Sequence, residues 1–161
     1  MRSWIIAAAA IGIASSAQAQ EKKANDPCNI MMGQVAPAAR SMASFRRGNT
    51  ARNPTETAVD KLEAALKNAA ACQETAPIRA LIATWRTLLE NQPKPDNAVG
   101  DLMESLAATA GFMTGYRRGT AALNPTQDWV NRFETALKSA NVPESANLLA
   151  LVAVWRQQLP H

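Results

Sequence analysis

This chain is short of the groups that do chemistry. Its 161 residues include one histidine, one tyrosine and two cysteines. The histidine is His161, at the end of the sequence, where it lacks the fixed orientation and partner that a general base needs. Without a second histidine or a free thiol, neither a nucleophile–histidine pair nor a zinc site is supported. Carboxylates can work in pairs as acid and base. However, Glu56, Asp60 and Glu63 share their helix face with Lys67, the pattern of a solvated charged surface. The reading is therefore of a non-enzyme, with no catalytic residue, no metal site and no cofactor.

Other absences narrow the class further. Runs of β-branched residues are short and no Asn-Gly turn occurs, so strands and hairpins are not expected. No block of like charge appears and the net charge is +4, which gives nucleic acid nothing to hold. After the N-terminus no apolar run approaches the roughly 18 residues of a membrane span.

The N-terminus itself, MRSWIIAAAAIGIASSAQA, reads as a secretory signal. Arg2 is followed by an apolar run and by small residues at Ala17 and Ala19, so cleavage is expected after Ala19. This address points to a periplasm. The mature chain would lose only Arg2 among its charges and carry +3. In an oxidising compartment Cys28 and Cys72 are expected to pair. Such a bridge is worth about 4 kcal/mol in the chain-entropy model.

What is present in quantity is self-similarity. At an offset of 71, Met32 aligns with Met103, Met42 with Met113 and Phe45 with Tyr116. Arg46-Arg47-Gly48 aligns with Arg117-Arg118-Gly119, and Asn53-Pro54-Thr55 with Asn124-Pro125-Thr126. One residue is then dropped, and LIATWR (81–86) aligns with LVAVWR (151–156). The chain reads as a tandem duplication. Each copy carries three apolar stripes at helical spacing, for example Val59, Leu62 and Leu66, then Ile78, Leu81, Ile82, Trp85 and Leu89. The expected fold is all-α, about six helices in two similar three-helix halves, with one disulfide in the first half. The divisions are 1–19 signal peptide, 20–92 first repeat and 93–161 second repeat, with one compact domain formed by the two repeats as the alternative to two separate ones.

The repeated stretches FRRGNTARNPT (45–55) and YRRGTAALNPT (116–126) read as helix corners. Gly48 and Gly119 suit the left-handed residue after a helix, and the arginines before them suit its negative end. Asn53 and Asn124 are expected to cap the next helix, with Pro54 and Pro125 in its first position and Glu56 and Gln127 completing capping boxes. An antiparallel hairpin turned at 48–53 would bring Cys28, at the start of one helix, to Cys72, at the end of the next. Pro37 is expected to kink or split the first helix. Gly111 and Gly115, four apart, suggest close helix packing. ENQPKPDN (90–97) is the linker between copies.

Three binding readings arise. Another protein is the first. The second is an anionic envelope polymer held by Arg46, Arg47, Arg117 and Arg118, since guanidinium groups match carboxylate and phosphate. The third is copper held by methionine thioethers among Met31, Met32, Met42, Met103 and Met113, although their helical spacing also suits a core. Oligomeric state is not legible.

The segment GYRRG (115–119), with SFRRG (44–48) in the first copy, resembles the G-Y-x-x-G segment of small helical periplasmic proteins of the HdeA type, which are acid-stress chaperones. A related group comprises periplasmic immunity proteins that neutralise secreted antibacterial effectors. In both, one cysteine lies near the start of the helix leading to that segment and another precedes a proline; here Cys28 and CQETAP (72–77) match. The chain departs from these families in being tandem, in having Ser44-Phe45 for Gly-Tyr, and in lacking cysteines in the second copy. The resemblance implies non-catalytic protein binding, chaperone-like or immunity-type, and a disulfide at Cys28 and Cys72.

Overall fold

A computed structural model describes residues 10–161, with side-chain surroundings from residue 17 onward. The first nine residues of the expected signal sequence lie outside that range. Among the described residues the chain is all helix: α1 (Ala10–Ala24), α2 (Pro27–Arg46), α3 (Arg52–Leu66), α4 (Thr75–Asn91), α5 (Asn97–Arg118), α6 (Leu123–Ser139) and α7 (Ser145–Gln158). The count is seven rather than about six, because α1 adds a helix that runs on through the expected cleavage point. From residue 17 the side chains of α1 are exposed. No helix among the described residues is long and apolar enough to cross a membrane.

The centre is an antiparallel pair, α2 against α5. Arg47 at the end of α2 meets Asp101 at the start of α5, while Arg118 at the end of α5 meets Asn29 at the start of α2. α3 and α6 flank this pair, and α4 and α7 pack on each other, with the Asn147 amide donating to the Thr84 hydroxyl at 2.8 Å. The expected stripes fill one continuous core. Met31, Met32, Met42, Met103 and Met113 are completely buried between the central helices, and Trp85 and Trp155 are completely buried under the outer pair. Thr109, the one polar position in its stripe, is buried because its hydroxyl donates to the Ser105 carbonyl one turn back.

The helix ends follow local chemistry. Asp26 caps α2 by accepting from the Cys28 N–H, and Asp96 caps α5 by accepting from the Val99 N–H. Gly48 and Gly119 take φ of +77° and +79°, which a side chain would resist. Beside each, two backbone bonds close the last turn: Gly48 to Phe45 and Asn49 to Ser44, then Gly119 to Tyr116 and Thr120 to Gly115.

Several sequence expectations are corrected here. α3 and α6 begin two residues early, so Ala51 and Ala122 occupy the cap positions and neither makes a side-chain cap bond. Asn53 and Asn124 are therefore inside the helices. Thr55 and Thr126 donate back to the Ala51 and Ala122 carbonyls, while Glu56 pairs with Arg52 and Gln127 donates to the Pro160 carbonyl. The capping boxes are absent. α2 runs unbroken through Pro37. α3 stops at Leu66, leaving Cys72 in the following turn rather than in a helix.

The bridge itself is formed: Cys28 and Cys72 are disulfide-bonded, with Cα atoms 5.6 Å apart. Val99 and Val142 line a common cleft at the aligned place in the second half. Trp129 stacks on Phe112 with ring centroids 5.6 Å apart.

Candidate functional site

The four corner arginines do not point outward together. Arg46 is 6% exposed and reaches Glu144, which is 0% exposed, with Nη1 and Oε1 2.5 Å apart. Arg117 makes the counterpart bond to Glu74, itself 1% exposed. Each pair links a residue of the first half to one of the second. The positions explain the choice of charges. Arg46 and Arg117 lie in the last turns of α2 and α5, where a helix is partly negative. Glu144 and Glu74 are the residues before α7 and α4, where a helix is partly positive. Each ion pair thus satisfies two helix ends as well as itself.

The other two arginines work across the central pair. Arg47 binds Asp101 at 2.6 Å and Glu104 at 3.3 Å. Its hydrogen bond to Asp101 is the main cause that raises its pKa. It lies over Gly100, where a Cβ would come within 2.4 Å of the Arg47 Cγ. Arg118 donates to the Asn29 carbonyl at 3.1 Å. The linker joins the same corner, since the Asp96 N–H donates to the Arg46 carbonyl at 2.7 Å and Pro95 lies against Gly48.

Glu144 is the electrostatically unusual member. Burial pushes its carboxyl up from the ordinary range, and the Arg46 guanidinium only partly opposes this. Its Oε2 has no hydrogen-bond partner, nor has the Arg46 Nε. Glu74 is better served, because Gln158 also donates to it at 2.8 Å.

Sequence reasoning proposed the arginines as one binding group, and the structure distributes them over four separate intrachain contacts. It missed Glu74 and Glu144. A signal was available, since these acids align with each other at an offset of 70 just as Arg46 aligns with Arg117 at 71. The expected close packing at Gly111 and Gly115 is not found. Gly111 faces open space and Gly115 meets Ala121 in the turn that follows, whereas Gly100 lies under Arg47 and Gly33 under Arg118. Among the described residues no group of three or more His, Cys, Asp or Glu is arranged to hold a metal ion.

Among the described residues, the outer face of α3 and α4 combines apolar area with unneutralised charge. A groove of about 310 Å3 runs between α3 and α4. Leu66 and Ile82 form its buried floor, Ala83 its exposed shoulder, and Glu63, Lys67, Arg79 and Arg86 its rim. Arg86 is matched by Asp60 at 2.6 Å and Glu63 at 2.5 Å. Lys67 and Arg79 are exposed and make no ion pair among the described residues. No protein-family model matches the chain, nor does any characterised protein or solved structure.

Proposed function

We propose that this chain is a non-catalytic protein-binding protein of the periplasm, chaperone-like or immunity-type, built by duplication of a three-helix unit (20–92 and 93–161). The observation that carries the reading is the α3–α4 groove, an apolar floor with free cations at its edge. Such a combination is the ordinary makeup of a contact surface for another protein. The resemblance of SFRRG, GYRRG and the cysteine placement to HdeA-type proteins adds to it.

The alternative in which the corner arginines hold an anionic envelope polymer is less favoured. Such a polymer would have to displace Glu144 and Glu74 from guanidinium groups already paired with them. Copper binding through methionine would require thioethers that are now packed in the core to become accessible.

The test is to titrate the oxidised protein from neutral to strongly acid pH, following tryptophan fluorescence and the aggregation of a client protein together. Client protection that appears as tryptophan packing is lost supports a chaperone. Tight binding of one secreted effector at neutral pH supports an immunity role. A protein that protects no client and binds no protein partner at any pH overturns the reading.

A further inference from the structure

The α3–α4 groove can be assigned a more definite occupant. We propose that it takes an acidic segment of a partner protein, one in which an apolar side chain is flanked by carboxylates. This rests on the protein-binding reading above. The apolar side chain would lie over Leu66, Ile82 and Ala83, and the carboxylates would meet Lys67 and Arg79.

Charge is the first argument. Of the three cations around the groove, Arg86 already has two carboxylates, whereas Lys67 and Arg79 have none among the described residues. Two unmatched cations beside exposed apolar surface favour a ligand that brings both negative charge and an apolar group. The chain's net charge of +4 acts in the same direction at long range.

The aligned place in the second half supplies an internal control. There Lys138 stands for Lys67, and it is paired with Glu134 at 2.8 Å. Arg156 stands for Arg86 and also binds Glu134. Leu149 stands for Arg79 and packs, half-buried, against the core. At this place the second half therefore matches both of its cations with Glu134 and replaces the outer cation with an apolar side chain. The first half leaves both cations available at the edge of an open groove. The two halves differ in the residues that would recognise an acid.

Shape decides between a polypeptide and a free amphiphile. The groove is at the small end of ligand sites, which run from roughly 300 to 1,000 Å3 and enclose most of a small molecule. This one is open along the helix pair, with Ala83, Lys67 and Arg79 all exposed. A small molecule seated here would remain largely in water. A polypeptide segment can add contacts along the outer faces of α3 and α4.

The test measures binding of a fluorescein-labelled peptide carrying one leucine between glutamates, with a lysine-for-glutamate version and dodecanoate as comparisons. Full-length oxidised protein is used throughout. The proposal expects the acidic peptide to bind and to weaken with added salt, and the lysine version not to bind. It expects Lys67→Glu with Arg79→Glu to reduce affinity by about tenfold or more. Ala83→Gln, which fills the groove without changing charge, should also weaken binding. Near-ultraviolet circular dichroism checks that each variant stays folded.

If the acidic peptide binds the charge-reversed protein equally well, the groove assignment is overturned while protein binding stands. If dodecanoate binds in the groove and the peptide does not, the site belongs to small amphiphiles and the assignment is again overturned. If neither peptide binds and no client or effector is held at any pH, this inference and the protein-binding reading fall together.

Discussion

Arg46 and Glu144 are separated by 98 residues of sequence and by 2.5 Å in space. Both are buried, so neither charge can be satisfied by water if the other is removed. Losing one partner of such a pair typically costs about 3–5 kcal/mol. The two deletions should nevertheless differ. Arg46→Ala leaves a carboxyl that can take up a proton, whereas Glu144→Ala leaves a guanidinium that cannot lose one. Both variants should lose about 3–5 kcal/mol at neutral pH. Only Arg46→Ala should regain part of its deficit as the pH is lowered toward 5. Urea unfolding followed by tryptophan fluorescence would measure this, and equal losses at every pH would count against it.

The pH dependence of wild-type stability should contain two opposing contributions. Burial raises the Glu144 carboxyl in the folded protein, so the native state binds a proton more readily than the unfolded chain does. Its contribution is fully present below the ordinary glutamate value of about 4.3 and is lost as pH rises through the raised folded value. Glu134 behaves in the reverse way. Hydrogen bonds from Lys138 and then Arg156 lower its carboxyl, so its contribution is present above the ordinary glutamate range and disappears as pH falls through the lowered value. Glu144→Gln should remove the gain on mild acidification, and Glu134→Gln should flatten the loss at stronger acid. Comparing urea midpoints of the three proteins at a series of pH values tests both signs.

A pair of glycine substitutions separates close approach from helix propensity. Gly100→Ala would place a Cβ 2.4 Å from the Arg47 Cγ, a mid-chain atom that cannot simply swing aside. It should cost about 1–3 kcal/mol, the usual range for overpacking, and disturb the bonds from Arg47 to Asp101 and Glu104. Gly111→Ala meets nothing within 4 Å in the same helix and should stabilise by about 0.5–1 kcal/mol. Thermal unfolding of both variants would show shifts of opposite sign.

Reduction of the Cys28–Cys72 bond, or Cys28→Ser with Cys72→Ser, should cost about 2–5 kcal/mol. The loss belongs to the first half. Hydrogen exchange should therefore quicken more in α2, α3 and α4 than in α6 and α7. A uniform increase across all helices would mean that the bond stabilises the whole body rather than one half.

Much of the helical layout was legible because it depends on local signals. The stripe Ile78, Leu81, Ile82, Trp85 and Leu89 carries its own period, and Gly48 and Gly119 mark left-handed residues wherever they lie. The cysteine pairing was legible from two cysteines in a chain read as secreted, and a hairpin turned at 48–53 agreed with it. The errors have identifiable causes. Asn53 and Asn124 looked like caps, but the helices start earlier and Thr55 and Thr126 bond back to Ala51 and Ala122 instead. The arginines were visible as a group, while their purpose depended on Glu74 and Glu144, which approach only after both halves have packed. Gly100 gave no sign of its importance, because its constraint comes from Arg47 on another helix. The α3–α4 groove was not legible, since the sequence shows Lys67 and Arg79 but not which of the neighbouring cations had already found carboxylates.

The placement of the single disulfide has a topological consequence. It closes a covalent ring through residues 28 to 72, and that ring contains the whole first corner. A protease that cuts the turn between α2 and α3 would leave two pieces still joined as one molecule, able to keep their register. The same cut between α5 and α6 would leave pieces held only by packing and ion pairs. The two corners, alike in sequence, thus differ in what damage they can survive, and the first leads into α3, one wall of the groove.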